Sequence, residues 1–383
     1  MLRRQALKLG SVLLSALTLG GWTLMRNKGS EPLLLSARDD TEGGHYAVAY
    51  RLDGTQVFAT QVAQRCHAII HHPEQPIALF VARRPGTESY LIDLRDGRLL
   101  QTLASQPNRH FYGHAVIHKD GQWLYTTEND TRDPGRGVLG VYRFEGERLV
   151  YTGELSTHGI GPHEVAWMPD GETLVVANGG IRTEAESRVE MNLDAMEPSL
   201  VLMQRDGTLL SQETLTQQMN SVRHLAVGTD GTILACQQFM GGAEETAELL
   251  AIKRPGQPFQ AFPVADRQLQ SMAQYTASVA VHSDLRLVAL TAPRANRLFI
   301  WDMDSGAVSA TRSKERRGDM DSGAVKLDAP MPDCAGVGAV ADGFVVTSGQ
   351  GRCRFYDCRQ RELVGQPLNL PSGLWDNHLH LVG

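Results

Sequence analysis

One phrase returns along this chain: a histidine, a short apolar run, then a tight turn. It reads HAIIHHP from His67, HAVIHKDG from His114, HEVAWMPDG from His163 and HLAVGTDG from His224. Weaker copies start at Ser278 (SVAVHSD) and Gly336 (GVGAVADG), and a last one at His378 (HLHLVG). The intervals are 114−67=47, 163−114=49, 224−163=61, 278−224=54, 336−278=58 and 378−336=42 residues. A complete interval carries four strand-like stretches separated by Asp-Gly or similar turns, as in HAVIHKDG, QWLYTTEND, GVLGVYRFEG and ERLVYTGEL. Four short strands repeated at roughly 40–50 residues are the mark of β-propeller blades, and the longer intervals contain visible loop insertions.

The last copy has room for a single strand, and its three missing strands lie at the other end of the chain. LLLSARDD, HYAVAYRLDG and TQVFATQV, within residues 33–62, follow in the order of a blade's second, third and fourth strands. The pattern therefore predicts an all-β, seven-bladed β-propeller, residues 31–383, closed by N-terminal strands plus the C-terminal strand. Such closure pairs the two ends of the chain within one blade and leaves only the short outer edges of a propeller. Thirty-eight glycines suit so turn-rich a fold. A formal charge of −6, with no basic cluster, argues against a nucleic-acid partner, and a monomer is expected.

Residues 1–30 read differently. Arg3, Arg4 and Lys8 precede the apolar run Leu9 to Leu19, the layout of an export signal that is too short for an ordinary membrane span. RRQALK matches the twin-arginine pattern except at Ala6, where a bulky apolar residue is usual. Export in folded form to the periplasm is expected, with membrane attachment only through this leader if it stays uncleaved. The five cysteines, an odd number, do not make a complete disulfide framework. Cys353 and Cys358 are an odd offset apart on one strand, while Cys66, Cys236 and Cys334 read as small buried residues. No nucleotide-binding glycine loop, nucleophile elbow, C-x-x-C or C-x-x-C-H haem-attachment motif is present.

The chemistry rests on the histidines. The first strand of each propeller blade lines the central channel, so equivalent strand starts converge at one mouth. His67, His114, His163, His224 and His378 hold that position in five blades and are the candidate metal ligands. Neutral imidazole suits iron, copper, zinc or nickel, and three or four of the five rings can meet on one ion. The ends of the second strands add a polar rim: Arg83, Glu128, Asn129, Asn178, Gln237 and Arg294, with Glu164 beside His163, as candidate ligand-binding residues. Arg83 and Arg294 suit a carboxylate or phosphate. The insertion TEAESRVEMNLDAMEPS, from Thr183, is expected over the same face, as a partial lid or a solvated loop. A purely structural role, as for the bracing histidine of WD-type repeats, fits less well. Here the histidine lies within the strand, seven residues before the turn Asp (170−163=7), and Trp-Asp occurs once, at Trp301-Asp302. His71, His118 and His282 recur four residues further on and are read as structural. MDSGAV occurs at Met303 and again at Met320, and the surplus copy is read as a looped-out duplication without chemistry.

RCHAIIHHP, FVARRPGTESYLIDL, FYGHAVI, YTTENDT, GIGPHEV, VVANGGI, SVRHLAV, CQQF and DNHLHLV together resemble a family of exported bacterial proteins with a domain of unknown function. The resemblance implies a WD40/YVTN-like propeller with a twin-arginine leader. Genes of that family commonly lie beside imelysin-type and di-haem-oxidase-like proteins, which implies periplasmic iron or metal handling with such partners. The resemblance assigns no activity and no catalytic residue. The expected function is thus transition-metal binding at the histidine mouth, iron or copper before zinc. Two alternatives stand beside it: a metal-dependent or lactonase-like enzyme with Glu128 or Glu164 as base, and a non-catalytic docking platform.

Overall fold

The computed structural model describes residues 32–304 and 325–383, and the leader and the remainder of the MDSGAV duplication lie outside them. Seven antiparallel sheets form seven blades. Blade 1 runs Cys66–His71, Ile77–Ala82, Glu88–Asp93, Leu99–Ala104 from the inside outward. The inner strands of blades 2 to 6 are Arg109–Ile117, Pro162–Trp167, Asn220–Val227, Ser278–His282 and Cys334–Val340.

Blade 7 joins the two ends of the chain. Leu33–Asp39 is its second strand, and the inner position is shared by two short pieces, Leu374–Trp375 and His380–Val382. The first pairs Trp375 with Arg38, and the second pairs His380, Leu381 and Val382 with Leu35, Leu34 and Leu33. Closure by both ends is as the strand count requires.

Burial explains the differing sequence textures within a blade. Second strands such as Ile77–Ala82 and Leu287–Ala292 are buried along their whole length, because a neighbouring blade covers each face. They read as unbroken apolar runs rather than alternating ones. Outer strands such as Leu99–Ala104 are partly exposed. The cores lie between blades: Leu79 and Leu91 of blade 1 pack with Phe111, Leu124 and Tyr142 of blade 2.

A set of histidines ties blade to blade at the far ends of the inner strands. The imidazole of His72 donates to the carbonyl of Gly121 (2.9 Å), His118 to Gly171 (2.8 Å) and His282 to Ala341 (3.2 Å). Each acceptor lies in the first turn of the next blade. His118 and His282 are structural, as their position predicted. In blade 1 His72 takes this place, while His71 meets His380 (Nδ1 to Nε2, 2.6 Å). All five cysteines are free.

Candidate metal centre

Regular pairing would point a strand-start side chain along the sheet face, not into the axis. Each of the five histidines escapes this because it lies in an interruption of its strand. In blade 1, Cys66 pairs with Ala82 and Ile69 with Phe80, so His67 and Ala68 oppose Val81 alone. Tyr112, Gly113 and His114 oppose Thr127, and His163 is the extra residue between Pro162 and Glu164. Arg223 and His224 oppose Cys236, and His378 lies in the break between the two inner pieces of blade 7. A β-bulge bends its strand and re-aims the side chain it carries. Ser278, which interrupts the histidine series, lies on an inner strand that pairs without irregularity.

Two glycines make space for the rings. Gly113 has φ +116°, and a Cβ there would lie 2.5 Å from the His67 ring. A Cβ on Gly336 would lie 2.8 Å from the Leu379 nitrogen, displacing the segment that carries His378. The position where blade 6 lacks a histidine is therefore where the backbone beside His378 must come closest.

The five imidazoles form one cluster. Ring centroids are 4.4 Å apart for His67 and His378, 4.6 Å for His163 and His224, 4.6 Å for His224 and His378, and 5.1 Å for His67 and His114. Ligand atoms lie within 4.8 Å of one another in three groups: His67, His114 and His163; His114, His224 and His378; and His67, Asp376 and His378. A tetrahedral ion with bonds of 2.1 Å holds its donors about 3.4 Å apart, so modest ring rotation suffices to seat one.

Two carboxylates organise the rings from behind. Asp376, fully buried, accepts from His67 Nδ1 at 2.7 Å. Glu164 places one oxygen 3.3 Å from His224 Nδ1 and the other 3.6 Å from His114 Nδ1, and it accepts the Leu225 amide at 2.8 Å. An ionised carboxylate only accepts, so the proton is held on Nδ1 and Nε2 is left as the ligand nitrogen. Buried nitrogens with no hydrogen-bond partner include His114 Nε2, His163 Nδ1 and His378 Nε2. Unpaired polar atoms of this kind are costly in a protein interior, and here they are gathered at one point.

Burial sets the charges. It pushes the His67 imidazole down to about 3, Asp376 only partly opposing it, and holds His163, His224 and His378 below the usual histidine range. These four rings are neutral at pH 7 and need shed no proton to bind a metal. Burial also disfavours ionisation of Glu164 and Asp376, but the adjoining imidazoles, and Arg83 beside Asp376, outweigh it and hold both carboxyls well below their usual range. The centre thus combines five imidazoles with two carboxylate charges.

Above the rings opens a cleft of about 330 Å³ lined by His67, His163 and His224, by Arg83, Arg84, Arg188, Arg223 and Arg294, and by Tyr112, Glu190, Gln238, Tyr275 and Asn377. Arg188 and Glu190 belong to the insertion from Thr183, which therefore reaches over the mouth as expected. Of the residues proposed for the rim, Arg83 and Arg294 line the cleft and Glu164 lies beneath it. Glu128, Asn129, Asn178 and Gln237 do not line it. Asn129 bonds His110 (3.0 Å), Asn178 bonds the Thr157 carbonyl (3.1 Å) and Gln237 bonds the Glu248 carbonyl (2.7 Å), all as internal braces. Gln238, one residue on, faces the cleft instead. Asp376, Arg65 (its guanidinium 3.7 Å from the Asp376 carboxylate), Arg223 and Tyr275 were not foreseen. The first three lie one or two residues from a ring histidine in the sequence, and that adjacency was their only signal.

Glu128 is sealed inside blade 2, accepting from Thr126 Oγ1 (2.6 Å) and Tyr142 OH (2.9 Å). Burial pushes its carboxyl up to about 7 despite those bonds. A folded value above the unfolded one, roughly 4.3, means that its stabilisation is intact below that pH and fades as pH rises through 7. Glu128→Gln removes this dependence. Its stability relative to the parent is expected to rise by about 2–3 kcal/mol between pH 5 and pH 8 in urea denaturation. An unchanged difference at the two pH values would show that Glu128 is ionised throughout.

The fold and centre together define a seven-bladed β-propeller whose channel mouth carries a buried histidine cluster. The chain belongs to the family described as "Protein of unknown function (DUF1513)", whose model matches residues 60–382. No curated protein matches it significantly by sequence. Among solved structures it is similar to the Kuenenia stuttgartiensis hydrazine synthase, at 14% identity and a TM-score of 0.59 over 91% of this chain and 99% of that one. At that identity the likeness shows the fold alone.

Proposed function

We propose that this protein is a periplasmic propeller that binds a transition metal ion at its histidine mouth and acts in metal handling with partner proteins. The observation that carries the reading is the convergence of unpaired, buried imidazole nitrogens on His114, His163 and His378, with Asp376 and Glu164 behind neighbouring rings. Two carboxylate charges complement a dication. More than four nitrogen donors favour iron or copper, which accept five or six ligands, over tetrahedral zinc. The basic, apolar leader supports export, and the resemblance to proteins encoded beside imelysin-type and di-haem-oxidase-like neighbours supports an iron-handling context. Binding is favoured over catalysis because Glu128 is sealed from the cleft and Glu164 is committed to two imidazoles.

Elemental analysis of protein from an export-competent host is expected to find about one metal ion per chain. His114→Ala combined with His163→Ala should reduce it to background, since these residues supply two of the unpaired nitrogens and His114 belongs to two of the three ligand groups. Background metal in the parent protein, or full occupancy in the double variant, would overturn the reading.

A further inference from the structure

The cleft over the histidines has a charge that the metal does not explain. Five guanidinium groups line it, and Glu190 is the one acid among its lining residues. Among the described residues no carboxylate lies within salt-bridge distance of Arg84, Arg188, Arg223 or Arg294. Instead Arg84 stacks over Tyr112 (5.4 Å to the ring centre) and Arg294 over Tyr275 (4.8 Å), while Arg188 donates to the Arg84 carbonyl at 2.6 and 3.0 Å. Tyr275 is itself fixed by Asn377, whose amide donates to its hydroxyl at 3.1 Å. Aromatic stacking orients the guanidinium planes and leaves their donor edges available. Clustering so many cations without carboxylate partners costs free energy that a bound anion recovers.

We propose that this cleft binds a small polycarboxylate anion of the citrate class, seated directly over the histidine cluster. Arginines spread around the cleft suit several separated carboxylates, each taken by a forked pair of N–H donors, better than one compact anion. The cleft volume, about 330 Å³, lies at the small-molecule end of ligand pockets. A polycarboxylate held there is itself a chelator, and it would complete the coordination of an ion that the imidazoles grip from below. The seating of the anion stands on the arginine cleft alone; its joining to a metal rests on the function proposed above.

The test is calorimetric titration of citrate, acetate and inorganic phosphate into the full chain, after chelator treatment and again after metal loading. Citrate is expected to bind in both forms, at least tenfold more tightly than phosphate or acetate and more tightly still with metal present. Arg84→Gln combined with Arg294→Gln should weaken citrate at least tenfold with metal content unchanged. Arg188→Gln, on the exposed insertion where it cannot unfold the propeller, should weaken it by a smaller factor. Citrate binding that is absent from the chelator-treated protein, indifferent to the arginine substitutions, or matched by phosphate overturns the polycarboxylate site. If no metal binds but citrate does, in an arginine-dependent way, the metal reading fails and this one stands.

Discussion

Deleting residues 374–383 is expected to prevent the propeller from folding, and with it to abolish metal binding. The segment supplies the inner strand of blade 7, in two pieces, and without it the backbone of Leu33–Asp39 loses its partner along one edge. The side chains lost are those that cement the joint. Trp375 is buried against Tyr50 (ring centres 5.7 Å apart), its indole donates to the Pro371 carbonyl (3.0 Å), and Leu379 and Leu381 pack on the cluster containing Leu34 and Val345. An opened ring also exposes the faces of blades 6 and 7 along an unprotected edge. A graded version of the experiment is Trp375→Ala, which should cost about 3–5 kcal/mol as a large-to-small core change. Leu374→Ala, in the same strand but 63% exposed, should lie within about 0.5 kcal/mol of the parent. Thermal melts followed by circular dichroism report all three. A deletion that melts with the parent would mean that the ring does not depend on the joint between its two ends.

That joint shows why the fold was readable and the centre only partly so. Blade period, strand order and the split seventh blade all follow from counting apolar stretches and turns, which needs one strand at a time. The five ring histidines could be found in the same way, by placing equivalent strand starts in register. What makes them converge is a bulge, and a bulge is a mismatch between two strands that neither sequence displays by itself. His67 and Ala68 share the single partner Val81, a fact written in the pairing and not in RCHAII. The same limit leaves the rim undecided from sequence. At the end of the second strand of blade 4, period-two alternation leaves either Gln237 or Gln238 facing the cleft, and the pairing chooses Gln238. Asp376 escaped notice because DNHLH reads as a loop leading into a last strand. Its importance arises from a hydrogen bond to His67, 309 residues away in the chain.

Asp376 and Glu164 lead to the second large effect. If they orient the rings for a metal, Asp376→Asn and Glu164→Gln should each weaken metal binding by roughly 10–100-fold, the usual consequence of altering a carboxylate behind a ligating histidine. Glu164→Gln should be the more damaging, since one carboxylate serves both His114 and His224. The amides keep an acceptor oxygen for one Nδ1–H, so what is removed is chiefly the charge that balances the ion. Their stabilities should separate this role from simple bracing. The neighbouring rings, and Arg83 beside Asp376, hold both carboxyls below their usual range, so the ionised groups add some stability at pH 7 and the metal-free variants should be modestly less stable than the metal-free parent. Metal should then stabilise the variants less, by about 1.4–2.7 kcal/mol for a 10–100-fold loss of affinity with the metal in excess. Competition against a chelator of known strength gives the affinities, and melts with and without metal give the linkage. Metal-free variants that are strongly destabilised, with metal affinity unchanged, would make Asp376 and Glu164 braces of the blade joints and leave the rings to bind without them.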